Sequence, residues 1–278
     1  MTDLAGTPTA QDLADRTGYD PAFLGPGVPM PGVTTGAATV LLRYLHYSVL
    51  FRPDRKFAAL TALDLDGAHL QQLARTDRWL LDPRLPADQQ AGPPVYADND
   101  LDRGHLVMRA SSAWGVTEDE ARQAEIETFY FTNAAPQAAL FNQGHELWLG
   151  LEDYVLKNAD NADLAVTVVT GPVLAPDDPK YRGVALPRQF WKTVAMVKQD
   201  GSLSVTGYLL SQAALLDEFA AGEEEFSYGA YRTFQVPVRR IAQLTGLDLG
   251  PCVAADPLER IEASSLPREL VRPQDLVL

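Results

Sequence analysis

The sequence predicts an α+β fold, a central and mainly antiparallel sheet with flanking helices, in one large domain. Three observations lead there. Trp191–Val197 and Leu203–Leu210 are β-rich runs joined through Gln199, Asp200 and Gly201, which is hairpin chemistry and implies antiparallel pairing. Arg43–Phe51 and Lys56–Asp64 read as two more strands around a turn, Phe51–Arg55 (FRPDR). Helix signals stand apart from these runs: Thr117 precedes three acids as an N-cap would, and Pro237–Thr245 opens on proline and closes at Gly246.

In chain order, residues 1–17 read as a mobile polar tail or short helix, and Gly25–Gly36 as a Gly- and Pro-rich extended loop that braces the body. Asp66 and Gly67 end the second strand, and Asp82–Pro94 is a Pro-rich surface loop. Tyr96–Leu101 leads into a strand bearing His105, and Thr128–Thr132 is a β-rich run ending at Asn133. A helix opens near Asn142, with Leu147, Leu151 and Val155 on one face. Leu164–Thr170 is a β-branched run that reads as a buried strand stopped by Gly171 and Pro172. Ser211–Ala220 reads as a further helix. The main domain is placed at residues 18–250, with 251–278 as a less patterned C-terminal extension.

A chain of 278 residues can bury a sizeable core. Its single cysteine, Cys252, excludes an internal disulfide and suits a reducing compartment. The N-terminus lacks a basic stretch followed by an apolar core, and no run approaches the roughly 18 apolar residues of a membrane span. The expectation is a cytoplasmic protein with no membrane contact. A formal net charge of −14 argues against a general nucleic-acid coat. Arg75, Arg78, Arg84, Arg103 and Arg109 nevertheless fall in one window, which suggests a small basic cleft on an acidic body. The sequence holds no GxxxxGK[ST], HExxH or GxSxG, so nucleotide hydrolase, zinc protease and serine hydrolase readings lack support.

The chemistry concentrates in Leu101–Tyr154. Cutting a phosphodiester needs a base for water, a cation for the leaving oxygen and positive charge near the phosphate. His105 is the candidate base, since an ordinary imidazole titrates near neutral pH. Arg103 offers a planar fork for phosphate. Asn142 offers an amide oxygen, the ligand type that hard Mg²⁺ accepts alongside water. Gly104, between Arg103 and His105, would let backbone approach substrate closely. Of the other histidines, His46 reads as structural, His69 as a surface residue, and His145 as a neighbour of the amide without its own role.

These residues lie in Asp102–His105 (DRGH), Thr132–Gln137 (TNAAPQ), Phe141–Gly144 (FNQG) and Trp148–Tyr154 (WLGLEDY). In that order the stretch resembles the DNA/RNA non-specific endonucleases, whose fold belongs to the ββα-metal, or His-Me finger, nucleases. Asp82–Pro86 (DPRLP), Val169–Leu174 and Leu186–Lys192 extend the likeness over most of the chain. The resemblance implies His105 as general base, Asn142 as Mg²⁺ ligand, with Mn²⁺ as the alternative ion, and Glu152 as support for the metal's water. It implies Arg103 on the phosphate, Asn133 in support, DNA and RNA as substrates, and 5′-phosphate products. Family members often place the glutamate two residues earlier, where this chain has Gly150; His145 and Glu146 read as an insertion, and Glu146 competes with Glu152. A further phosphate arginine has no clean match; Arg75 is preferred over Arg78. Two alternatives stand beside this reading: a catalytically weak nucleic-acid binder or scaffold on the same fold, and a toxin or defence nuclease restrained by an inhibitor partner. The sequence permits a homodimer without demanding one.

Overall fold

The computed structural model describes residues 8–139, 163–213, 216, 233–260 and 268–269. Its strands are β1 (Gly32–Val33), β2 (Val40–Arg43), β3 (Tyr47–Arg52), β4 (Phe57–Asp66), β5 (Leu101–His105), β6 (Ala134–Ala138) and β7 (Ala165–Val173). They continue with β8 (Lys180–Tyr181), β9 (Val184–Ala185), β10 (Gln189–Val197), β11 (Leu203–Ser211), β12 (Thr233–Val236), β13 (Leu247–Asp248) and β14 (Arg268–Glu269). Among the described residues, eight strands form one sheet in the order β14-β12-β11-β10-β7-β4-β3-β2, with neighbours antiparallel throughout. The expected hairpin is β10–β11, closed where Lys198 N donates to Ser202 O and Gly201 turns at φ 80°.

Each sheet face buries its own core. Leu60, Ala62, Val169, Trp191 and Val205 pack against Val238 and Ile241 of the helix Val238–Thr245. On the other face Leu63, Leu65, Val168 and Tyr208 pack against Leu106, Val107, Tyr130 and Ala135. That second layer carries the β5–β6 pair, so burial on this face fixes the pair to the sheet. A buried amide adds direction: Gln212 Oε1 accepts from Ala138 N at 2.9 Å, and its Nε2 donates to Pro187 O at 2.6 Å.

Two sequence expectations change. Arg43–Phe51 is not one strand, because His46 adopts φ 69° and Tyr44 N donates to Tyr47 O, making a hairpin corner between β2 and β3. Gly171 and Pro172 do not stop β7, which runs on to Val173. A Cβ on Gly171 would lie 2.4 Å from Ala59 O, so this glycine gives room to a crossing backbone rather than a turn. The β4 ladder ends at Thr170, which leaves Pro172 without a partner on that side.

Both ends of the described chain are seated in the core. Leu13 is buried, and Arg16 Nε meets Glu127 Oε1 at 2.6 Å. Past Pro251, Cys252 and Leu258 are buried, and Asp256 Oδ2 accepts from Val238 N at 2.7 Å, capping a helix whose N-cap is Pro237. Among the described residues no helix is long and apolar enough to cross a membrane.

Candidate active site

β5 and β6 pair antiparallel, with His105 opposite Ala134, Arg103 opposite Pro136 and Asp102 opposite Gln137. Strand alternation puts His105 and Arg103 on one face and Asp102, Gly104 and Gln137 on the other. Pro136 is tolerated because among the described residues this is a two-stranded sheet, whose strands have free edges.

The expected strand at Thr128–Thr132 is displaced: Phe131–Asn133 is a 3-10 turn and the strand follows it. Other partners claim this backbone. Leu80 N donates to Phe129 O at 3.0 Å, and Phe131 N to Leu80 O at 2.9 Å. Asn133, fully buried, then uses its whole amide: Oδ1 accepts from Val107 N at 2.9 Å, and Nδ2 donates to Val107 O at 3.0 Å and Thr128 O at 2.9 Å. Its carbonyl accepts from Leu106 N at 3.0 Å. Asn133 therefore clamps the turn that leaves His105. Asn133→Leu leaves buried groups of Val107 and Thr128 unpaired and should cost roughly 3 kcal/mol, read as a lower denaturant midpoint; an unchanged midpoint would contradict the clamp.

His105 retains some exposed surface, but its Nε2 edge is buried and has no hydrogen-bond partner among the described residues. Its ring lies 4.6 Å from that of Trp79 at 51°, and 4.9 Å from that of Phe129 at 89°. Burial pushes the imidazole down to about 3, and the charges of Arg75, Arg109 and Arg103 act the same way against Asp77. The resting imidazole is therefore neutral, the form a general base requires.

The arginines divide. Arg103 is exposed, with its Cζ 5.5 Å from the Trp79 ring centre. Arg75, whose side chain is 59% exposed, meets Asp77 at 3.5 Å. Arg109 Nη1 meets Glu125 Oε1 at 3.2 Å. Glu125, buried on the helix Glu118–Glu127, also accepts from Thr76 N at 3.2 Å, so one carboxylate holds both the Arg75–Trp79 segment and Arg109. Arg84 departs from the expected basic cleft: it is consumed by Asp82 at 2.7 Å and lies over the Tyr44 ring. Asp82 also binds Tyr44 Oη and Gln90, so the DPRLP landmark is a structural hub.

Gly104 also has a different reason from the expected one. A Cβ there would lie 2.1 Å from Gln137 Cδ, so the missing side chain makes room for a buried glutamine inside the pair. His46 is buried and stacked on Trp114 at 3.5 Å, and His69 is exposed beside Asp66. Asn142, His145, Glu146 and Glu152 lie outside the described residues. Among the described residues, no group of three or more His, Cys, Asp or Glu gathers as a metal site. Sequence reading missed Trp79, Glu125, Gln137 and Gln212. Two of them had a signal: Trp79 lies just before DPRLP, and Gln137 closes the TNAAPQ motif.

A broad antiparallel sheet bearing a two-stranded finger, with a half-buried histidine among Arg75, Arg103 and Arg109, has the fold of the ββα-metal nucleases. The family model for DNA/RNA non-specific endonucleases matches residues 27–256, and the chain belongs to that family. It is 38% identical to protein y4fB of Sinorhizobium fredii over 91% of this chain and 41% of that protein. It is 26% identical to a nuclease of Nostoc sp. over 73% of this chain and 70% of that one. It is 28% identical to mitochondrial endonuclease G of Homo sapiens over 63% of this chain and 56% of that protein. The chain thus spans under two thirds of y4fB and of endonuclease G. A solved structure of EndoG in complex with EndoGI superposes with a TM-score of 0.60 at 20% identity, covering 81% of this chain and 88% of that one.

Proposed function

We propose that the chain is a Mg²⁺-dependent, sugar-non-specific endonuclease that hydrolyses DNA and RNA. The observation that carries this reading is His105 on the same face of the finger as Arg103, with Arg75 and Arg109 adding their charge at the ring, in a chain of the DNA/RNA non-specific endonuclease family. The His105 imidazole accepts a proton from the attacking water. Arg103 and Arg75 bind phosphate oxygens and spread the charge that builds on them. Arg109, held by Glu125, adds to the positive field. Asn133 and Trp79 shape the finger and touch no substrate in this scheme.

An imidazole surrounded by arginines is a poor seat for a cation, which favours a base over a ligand at His105. The Asn142 amide is the ligand we propose, supported by Glu152, since Mg²⁺ prefers oxygen donors. When bound, the ion supplies positive charge where the 3′ oxygen departs. Water attack on phosphorus with 3′-oxygen departure leaves a 5′-phosphate and a 3′-hydroxyl. The likeness to EndoG, solved in a complex described as its mechanism of inhibition, supports restraint by an inhibitor protein as a second element.

The test is product analysis on a supercoiled plasmid and a structured RNA. Both should be degraded, and the products should accept a radiolabel from a 5′-kinase only after phosphatase treatment. Products labelled without phosphatase would contradict the proposed bond cleavage, and degradation of one substrate alone would contradict sugar indifference.

A further inference from the structure

We propose that Trp79 is a positioning residue that holds the Arg103 guanidinium and the His105 imidazole in one arrangement through its ring. The inference rests on the nuclease reading above and adds a residue to it. Trp79 is half-buried and touches both groups: Arg103 Cζ lies 5.5 Å from the ring centre and the His105 ring 4.6 Å away. Phe129, at 5.3 Å and 74°, and Phe131, at 5.5 Å and 41°, wall in the rest of the indole. Backbone bonds fix the segment, through Leu80 to Phe129 and Phe131, and through Thr76 to Glu125.

The chemistry of these contacts is the reason for a ring at this place. A close carboxylate partner would occupy part of the Arg103 fork and offset its charge. A cation–π contact uses the guanidinium's attraction to the ring and leaves its N–H edge free for phosphate. Among the described residues no ion pair holds Arg103. The same logic applies to His105, whose ring is held by two aromatic neighbours while Nε2 has no partner among the described residues. Aromatic packing positions both groups and consumes the hydrogen-bonding capacity of neither.

The experiment compares wild type, Trp79→Leu and Trp79→Phe by steady-state cleavage, by thermal midpoint, and by the His105 Cε1–H proton resonance, assigned through its absence in His105→Ala. Trp79→Leu should lower kcat roughly 10- to 100-fold, with a smaller change in KM, as expected when reacting groups are misplaced by about an ångström. Trp79→Phe should recover to within about threefold of wild type. The His105 resonance should move in Trp79→Leu, since it loses the indole ring current. If Trp79→Leu does not fold, Trp79→Met takes its place with the same expectations. A folded Leu or Met variant with wild-type kcat would overturn the proposal, as would a Phe variant as slow as the Leu variant. If wild type cleaves nothing, the nuclease reading fails by itself; the resonance then decides the packing, and an unmoved His105 signal overturns it.

Discussion

His105→Ala should lower cleavage by about 10²- to 10⁴-fold, the range that a positioned general base contributes, while the protein stays folded. Stability should fall by only a few kcal/mol at most. Truncation opens a cavity between Trp79 and Phe129, but among the described residues Nε2 has no partner to leave behind. The pH dependence of the wild type makes the test sharper. In the proposed mechanism the neutral imidazole is the active form, and its folded value is pushed down to about 3 from an ordinary 6.5, by burial first and then by Arg75 and Arg109. The profile of kcat/KM reports the free enzyme, so it should show no acid limb with a midpoint near 6.5. The stability linkage has a definite sign. Between 6.5 and about 3 the unfolded chain binds a proton at His105 that the folded chain refuses. Acidification through that window therefore costs stability, and His105→Ala should lose less thermal stability over it than wild type. A normal histidine limb near neutrality would place the ring in water.

Gly104→Ala should both destabilise the protein and slow it. The new Cβ would meet Gln137 Cδ and Oε1 at 2.1 Å and Cγ at 2.6 Å. Gln137 is fully buried, so its side chain cannot swing away without displacing neighbours. Overpacking of this kind costs about 1–3 kcal/mol. Because Gly104 sits between Arg103 and His105, a shift of β5 by about an ångström moves both groups and should slow cleavage roughly 100-fold. Adding Gln137→Ala restores the space, and the double variant should regain much of the lost stability and rate. If Gly104→Ala alone matches wild type in rate and midpoint, the glutamine yields freely and the close packing has no functional weight.

Much of the fold was legible because its signals are local. The β10–β11 hairpin followed from Gln199–Gly201, the Glu118–Glu127 helix from Thr117, whose side chain accepts from Glu120 N at 3.2 Å, and the end of Val238–Thr245 from Gly246 at φ 64°. His105 and Arg103 were legible because DRGH puts both on one strand. What escaped depends on contacts distant in sequence. The strand expected before Asn133 moved after it because Leu80 and Leu106 claim that backbone. Gly171 was read as a stop because nothing local shows that β4 crosses at Ala59. Arg84 looked like a cleft cation because its partner Asp82, two residues before it, is buried only in the folded state. Trp79 and Glu125 carry no chemistry by themselves and gain meaning only from the groups they touch. The proposed metal side of the site, Asn142 with Glu152, falls outside the described residues and rests on the sequence motifs.

The most direct measurement is nicking of a supercoiled plasmid by the purified chain, followed in time with Mg²⁺, with EDTA, and with Mg²⁺ restored after EDTA. The account predicts nicked and then linear DNA with Mg²⁺, none with EDTA, and recovery when the ion returns. A folded protein that leaves the plasmid supercoiled with Mg²⁺ present, or that cuts equally well in EDTA, would contradict it.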